Sequence, residues 1–300
     1  MMYPFPTHDE LKDLILLAKR EDLGSGDVTS ELIVAPDKIG VGTLLQKEVG
    51  VVCGLPIVEM ICGAYDERLR VEQIPGFHLE IIEGRFSDQR VMPLMRLRGP
   101  MRSLLAAERV ILNFLQNLSG IATQTQRFVR RIEGTGAKIY DTRKTLPGMR
   151  ALAKYAVRCG GGFSHRIGLY DAVLIKDNNI ASVSMKDLPA FLASVVSRSR
   201  SQNSARTIEV EVDHLDQFRE VIKVDGVDIV LLDNMDCPRM QNAVEIRNAA
   251  GKKGKLALEA SGGVTLETVR SIALTGVERI AVGAITHSAQ ALDIGLEVEE

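Results

Sequence analysis

Hydrophobic and polar residues keep two different periods along this chain, and the changes between them outline its elements. Leu11, Leu14, Ile15 and Ala18 recur on one helical face, and Thr7 with Glu10 has the spacing of a capping box. A helix is therefore predicted from about residue 7 to the LGSGD segment. From residue 40 to residue 100 the stretches VGTLLQKEVGVVCG, RLRVEQI and PLMRLRG read as strands, with a short helix over 56–62 between them. Helical spacing returns over 103–118, and Ser119 fits the N-cap of a second helix reaching residue 132.

After Gly136 the texture changes. The short apolar runs AKIYD, AVLIK, TIEVEV, DIVLLD, LALEA and RIAVG alternate with amphipathic stretches, roughly 20 to 35 residues apart, as parallel βα units do. An α/β barrel and an open doubly wound sheet share this rhythm. The reactive residues favour the barrel. Asp141 with Arg143 and Lys144, Lys176, Glu211, Asp233, Glu259 with Ser261, and Gly283 each stand at or just past the end of a different run. In a barrel those ends meet on one face. Six runs leave the barrel incomplete unless IATQT or a segment near Ile180 adds a strand, and no longer repeat or low-complexity segment is visible.

A chain of 300 residues allows one barrel-sized domain or two unequal ones. Tryptophan is absent and small aliphatic residues abound, which suits a compact α/β enzyme better than a carbohydrate or peptide binder. Cys53, Cys62, Cys159 and Cys237 lack both disulfide-framework and zinc-ligand spacing, in keeping with a reducing cytoplasm. The N-terminus has charges every few residues and no signal-peptide pattern, and no apolar run is long enough for a membrane span. Charge is distributed unevenly. Between Thr142 and Lys176 stand seven basic residues, Arg143, Lys144, Arg150, Lys154, Arg158, Arg166 and Lys176, against the single acid Asp171. That local +6 contrasts with −2 for the whole chain. One basic region in an acidic chain points to a small anionic ligand rather than to nucleic acid.

Four constellations could carry chemistry. Arg143, Lys144, His165, Arg166 and Lys176 suit a ligand with several negative charges, because arginine grips carboxylates and phosphates bidentately and lysine supplies a point charge. Glu211 and Asp233 end buried β-branched runs, so each is either paired with a cation or holds a metal such as magnesium. Glu209 and Asp213 share the face of Glu211, so alternation alone does not single it out. The glycine turns EASGGV and VGAITHSA follow consecutive late strands, where barrels place phosphates. Arg109, Asn113 and Gln116 form a polar stripe on an apolar helix, a pattern typical of an interface, and Cys159 reads as structural.

The ordered segments DTRKTLPG, KYAVRCGGGFSHRIGLYDAVLIKDNN, EVEVD, LLDN, EASGGV and GAITHSA resemble the quinolinate phosphoribosyltransferase family, also called nicotinate-nucleotide pyrophosphorylase (carboxylating). EDLGSGDVTS and ERVILNFLQNLSGIATQT extend the resemblance over nearly the whole chain. It implies an α/β fold with an N-terminal α/β sandwich-like domain over 1–118, onto which the tail 289–300 packs back. An incomplete, seven-stranded α/β barrel of the type II phosphoribosyltransferase kind follows over 119–288. It also implies a homodimer or larger homo-oligomer, with Arg109 reaching across into the neighbouring site. The implied reaction joins quinolinate to 5-phosphoribosyl 1-diphosphate (PRPP) with Mg2+, releasing diphosphate and carbon dioxide and leaving nicotinate mononucleotide for NAD synthesis in the cytoplasm.

By the same resemblance, Arg109, Thr142, Arg143, His165, Arg166 and Lys176 surround the quinolinate carboxylates, and Lys144 also faces PRPP. Lys144, Lys176, Glu211 and Asp233 carry the catalytic step. Glu211 and Asp233 hold the ribose hydroxyls and the metal, partly through water. Ser261, Gly262, Gly263, Val282, Gly283, Ala284 and His287 form the 5-phosphate cradle. The chain departs from the familiar motif at Ser164, where Asn is usual, and at Asn179, where His is usual; the charged positions are intact. A paralogous phosphoribosyltransferase with another acceptor is the nearest alternative, and LIKDN with Lys176 speaks against it. A non-catalytic phosphosugar-binding barrel is the other, and the intact Glu211, Asp233 and cationic set disfavour it.

Overall fold

Thr7 opens the first helix as its spacing requires. In the computed structural model, which describes residues 4–74, 82–203 and 206–299, α1 spans His8–Leu23. Thr7 Oγ1 accepts the Glu10 amide at 3.4 Å while Glu10 Oε2 accepts that of Thr7 at 2.8 Å. Leu11 and Ile15 are its buried residues. Asp27 caps α2, Val28–Ile33, by accepting the amides of Thr29 and Ser30.

The chain divides into two compact units, one of Met1–Gln126, Thr145–Gly161 and Ser288–Glu300, the other of Arg127–Lys144 and Gly162–His287. In the first, β1 (Ile39–Gln46) pairs antiparallel with β5 (Met92–Pro100) on one side and with β12 (Ile294–Val298) on the other. β3 (Arg70–Glu72) completes a sheet of order β12-β1-β5-β3, and β2 (Gly50–Val51) pairs with β4 (Phe86–Ser87). Of the expected strands, RLRVEQI is shortened to β3, PLMRLRG gains a residue at each end in β5, and VGTLLQKEVGVVCG divides into β1 and β2. The helix α3, Leu55–Tyr65, starts where Glu83 accepts the amides of Gly54 and Leu55 and the Tyr155 hydroxyl. Cys53 and Cys159 lie beside that carboxylate, whose hydrogen bonds account for its burial without a bound ion.

Two helices were expected over 103–132, and one is found: α4 runs unbroken through Met101–Arg131. Ser119 does not cap. Its Oγ accepts the amide of Cys53 at 2.9 Å and donates to the Cys53 carbonyl. Gly120 costs about 1 kcal/mol of helix propensity relative to alanine, but burial of Leu115, Leu118 and Ile121 contributes about 1.5–3 kcal/mol each. Burial wins. A Cβ at Gly120 would run into the Gln290 carbonyl, so glycine here admits the returning C-terminal segment. Gln116, expected to mark an interface, is used within the chain, donating to the Ile294 carbonyl at 2.7 Å. α5, Arg150–Cys159, completes this unit.

The second unit is built on a parallel sheet of six strands: β6 (Lys138–Tyr140), β7 (Val173–Ile175), β8 (Ile208–Val212), β9 (Ile229–Asp233), β10 (Ala257–Ser261) and β11 (Arg279–Ala281). Its order is β6-β11-β10-β9-β8-β7. Pairing of the first strand with the last is the closure of a barrel, not the reversal of a doubly wound sheet. Between β6 and β7 the described residues form only a one-residue parallel bridge, Tyr140 to Phe163. A seventh regular strand is therefore absent among them. IATQT lies inside α4, and Ile180 ends the short helix α6, Asp177–Ile180. Both segments are helical rather than extended, so neither adds a strand to the sheet. The helices α7 (Leu188–Gln202), α8 (Leu215–Val221), α9 (Cys237–Ala249), α10 (Val269–Ala273) and α11 (Ala284–His287) follow in turn.

Candidate active site

The strand ends of the second unit gather most of the reactive residues. After β6, Asp141 is fully buried, and its Oδ1 accepts the His165 amide at 2.7 Å. The backbone of Phe163 bonds to Asp141 and Ile139, so the loop carrying Ser164, His165 and Arg166 is laid along β6. Arg143 has a buried Nε without a hydrogen-bond partner among the described residues, and the Ser164 hydroxyl is in the same state. A buried guanidinium donor left unsatisfied is costly. Burial, and then the charge of Arg143, hold the Arg166 guanidinium below its ordinary pKa. The two like charges thus disfavour each other, a relation that an anion bound by both reverses.

Thr142 Oγ1 accepts the Lys144 amide, and the Lys144 carbonyl accepts the Thr286 hydroxyl at 2.7 Å. Lys144 is exposed and crosses Gly283, where a Cβ would come within 3.2 Å of Lys144 Cδ and 3.1 Å of His287 Nε2. Val282 joins this end to β6 through the Tyr140 carbonyl, and Ala284 begins α11. Ser261 is level with Asp233 in the sheet. Gly262 has φ +98°, and Asn234, itself at φ 51°, crosses beneath it with its amide on the Ser261 carbonyl. Gly263, at φ +59°, faces open space where a Cβ would point.

Glu211 is buried and accepts Lys176 Nζ at 2.6 Å, while Lys176 is itself half-exposed. Asp233 accepts Asn234 Nδ2 at 2.7 Å. Asn179, at a position of departure from the familiar motif, accepts the Lys176 amide at 2.9 Å and so fixes the start of α6.

His165 lies lower in the sheet. Its Nε2 is 2.9 Å from Glu209 and 3.3 Å from Glu259, and Glu259 also accepts Arg279 Nε at 2.5 Å. Burial works against a charge on this ring, but the two carboxylates outweigh it and push its pKa up to about 9. The Arg166 amide, 2.7 Å from Nδ1, opposes that shift, because only an unprotonated Nδ1 accepts it. Both states keep a proton on Nε2.

The basic run is divided between the two units: Arg150, Lys154 and Arg158 sit on α5 in the first, with Lys154 only 2% exposed, while Arg143, Lys144, Arg166 and Lys176 belong to the second. The chain leaves the second unit at residue 145 and returns at residue 162. Arg109 is exposed on α4 in the first unit. Glu259, expected at a strand end, lies two residues below it. Glu209, Arg279 and Asn234 were not singled out as site residues. The alternation Glu209, Glu211 in a wholly buried strand was the one signal that placed a second carboxylate inward.

Strand ends that converge on two repelling arginines, a lysine–carboxylate pair and two glycine turns define an α/β-barrel protein built to receive a phosphorylated anion. Residues 27–119 match the quinolinate phosphoribosyl transferase N-terminal domain, and residues 121–297 match the C-terminal domain. The chain belongs to the quinolinate phosphoribosyltransferase family. It is 40% identical over 295 residues to the nicotinate-nucleotide pyrophosphorylase [carboxylating] of Mycobacterium leprae, covering 97% of this chain and 98% of that protein. The probable enzyme of the same name from Bacillus subtilis is 36% identical, with 97% and 94% covered. The nicotinate-nucleotide pyrophosphorylase structure from Francisella tularensis superposes with a TM-score of 0.86 at 37% identity, covering 98% of each chain. That from Ehrlichia chaffeensis gives 0.83 at 39%, covering all of both. No helix among the described residues is long and apolar enough to cross a membrane.

Proposed function

We infer that this chain transfers the phosphoribosyl group of PRPP to quinolinate with decarboxylation, giving nicotinate mononucleotide, carbon dioxide and diphosphate for NAD synthesis. The observation that carries the reading is the buried, unsatisfied Nε of Arg143, together with the partly buried guanidinium of Arg166, whose pKa burial and the Arg143 charge hold down. Two arginines in that state call for a ligand with carboxylates to share, and quinolinate has two.

Arg143, His165 and Arg166 hold the carboxylates with Lys176 and Thr142 beside them. The pyridine nitrogen carries its own lone pair and needs no general base. It attacks the anomeric carbon as the bond to diphosphate breaks, and the diphosphate leaves with both bonding electrons. Lys144 meets the growing charge on the leaving group. The quaternised nitrogen then accepts the electron pair of the breaking ring–carboxylate bond; carbon dioxide departs, and the ring carbon takes a proton from solvent. Ser261, Gly262, Gly263, Val282, Gly283, Ala284 and His287 cradle the 5-phosphate, with the open side of Gly263 giving it room.

Glu211 and Asp233 stand at or near the ends of adjacent strands, and their hard oxygens would hold the ribose hydroxyls and Mg2+, partly through water; the ion would offset the charge of the PRPP diphosphate. The enzyme acts as a cytoplasmic homodimer or larger assembly, and the exposed Arg109 of one copy completes the carboxylate subsite of another. The test is turnover. Purified chain with quinolinate, PRPP and Mg2+ forms nicotinate mononucleotide and diphosphate, and nicotinic acid replaces quinolinate poorly. Preference for nicotinic acid would show that the second carboxylate is not recognised.

A further inference from the structure

Three charged groups in the second unit, Glu209, Glu259 and Arg279, are not among the residues assigned to quinolinate or PRPP. Glu209 on β8 and Glu259 on β10 are 3% and 0% exposed, and each lies two residues below a strand-end residue, Glu211 and Ser261. By the two-residue period of a strand they face the way those residues face, one layer deeper. Arg279 opens β11, with its Nε on Glu259 and its guanidinium carbon 3.5 Å from the centre of the Tyr140 ring. Two buried carboxylates facing one arginine are not compensated. The missing partner is His165, whose Nε2 reaches both.

His165 is equally tied from above. Its amide donates to Asp141, Phe163 two residues earlier bridges to Tyr140, and Arg166 follows it directly in the chain. Among the described residues Glu209, Glu259 and Arg279 have no other role, and a core of parallel strands does not place charges inward without cost. A metal ion held by His165, Glu209 and Glu259 is an alternative use of the same atoms. Arg279 already neutralises Glu259, however, and a metal would have to displace the Nε2 proton.

We propose that Glu209, Glu259 and Arg279 are positioning residues: acting through Nε2 of His165, they fix the loop that carries Arg166 and so set where its guanidinium meets a quinolinate carboxylate. The proposal rests on the quinolinate reading above and adds to it the groups that hold the subsite in register. A misplacement of about 1 Å at such a site costs up to about 100-fold in rate or binding, so these side chains matter without touching substrate.

The test uses Glu209→Leu, His165→Asn and His165→Gln in the full chain, with quinolinate and PRPP varied separately and the imidazole N–H signals followed by NMR without ligands. Glu209→Leu, which removes the acceptor 2.9 Å from Nε2, should raise the quinolinate KM at least about tenfold, leave the PRPP KM within about twofold, and turn a slowly exchanging His165 Nε2–H into a fast one. His165→Asn should lose as much. His165→Gln, whose amide nitrogen reaches the position of Nε2, should recover about fivefold or more of that loss. Equal rises in both KM values would indicate general damage and overturn the proposal. Equal loss in the Gln and Asn variants would also overturn it, since the ring itself would then be what the substrate needs. An Nε2–H signal that appears only after a chelator is added to the parent chain, and that stoichiometric zinc abolishes, would assign the atoms to a metal and overturn it too. If Glu209→Leu does not fold, the His165 pair decides. If the parent chain shows no turnover, the functional reading fails, and a slow Nε2–H that persists in Glu209→Leu sinks the anchor separately.

Discussion

Replacing Gly262 with alanine tests the turn that follows β10. At φ +98° a residue with a side chain is strained by about 1–3 kcal/mol. The new Cβ would collide with Asn234 Oδ1 and lie 2.6 Å from its Cγ and 3.0 Å from its backbone nitrogen. Asn234 must therefore swing away from Asp233, whose Oδ2 it reaches at 2.7 Å. A hydrogen bond to a charged group contributes about 1.5–3 kcal/mol, and solvent at this exposed turn returns part of that. The total cost is about 2–4 kcal/mol. With half of it falling on ligand binding, the PRPP KM rises about 5- to 30-fold, and the remainder lowers the unfolding free energy by about 1–2 kcal/mol. Gly263→Ala is the control. At φ +59° with no atom within 4 Å of its Cβ, it should cost the fold only about 1–2 kcal/mol while placing a methyl where the phosphate sits. Steady-state kinetics and thermal unfolding of both variants decide. A PRPP KM unchanged in both would remove this turn from the phosphate cradle.

Three other outcomes follow from the same geometry. Arg166→Ala loses a charge-assisted bond of about 1.5–3 kcal/mol, so the quinolinate KM or kcat/KM should change on the order of 10- to 150-fold, read by varying quinolinate at saturating PRPP. Unchanged values would take Arg166 out of the site. Mixing inactive Arg109→Ala and Lys144→Ala subunits in equal amounts should restore about a quarter of parental activity, because half the dimers are mixed and each has one intact site; verified mixed dimers without activity would exclude a shared site. The hydrogen-bonded Arg68 guanidinium holds the Asp66 carboxyl well below its ordinary 3.8, so the stability it contributes is present above that pH and lost as pH falls below it. Asp66→Asn should flatten the acid limb of stability against pH, and an unchanged slope in denaturant titrations would contradict the assignment.

Much of this was legible in the sequence because it depends on short-range signals. The Thr7 and Glu10 capping box needs only three residues of spacing, and it is closed in the structure. The six apolar runs announced six parallel strands because buried parallel strands are continuous in β-branched residues. What was not legible depends on distant partners. Ser119 reads as a cap until Cys53, distant in sequence, claims its hydroxyl. The local +6 is one run in sequence, and its division between two units is set by distant contacts. Glu209 and Glu211 are equivalent by alternation, and only His165 and Lys176, arriving from separate loops, give them different work. Arg279 reads as the ordinary polar start of a strand, and its pairing with Glu259 is fixed by register between strands, which no local pattern encodes.

The central claim is that this barrel couples phosphoribosyl transfer to loss of one particular carboxylate. Quinolinate labelled only in the carboxyl group next to the ring nitrogen, supplied with PRPP and Mg2+, measures that coupling directly. The account predicts that labelled carbon dioxide, nicotinate mononucleotide and diphosphate appear in equal amounts and that the nucleotide carries no label. Nucleotide that retains the label, or label released without diphosphate, would contradict it.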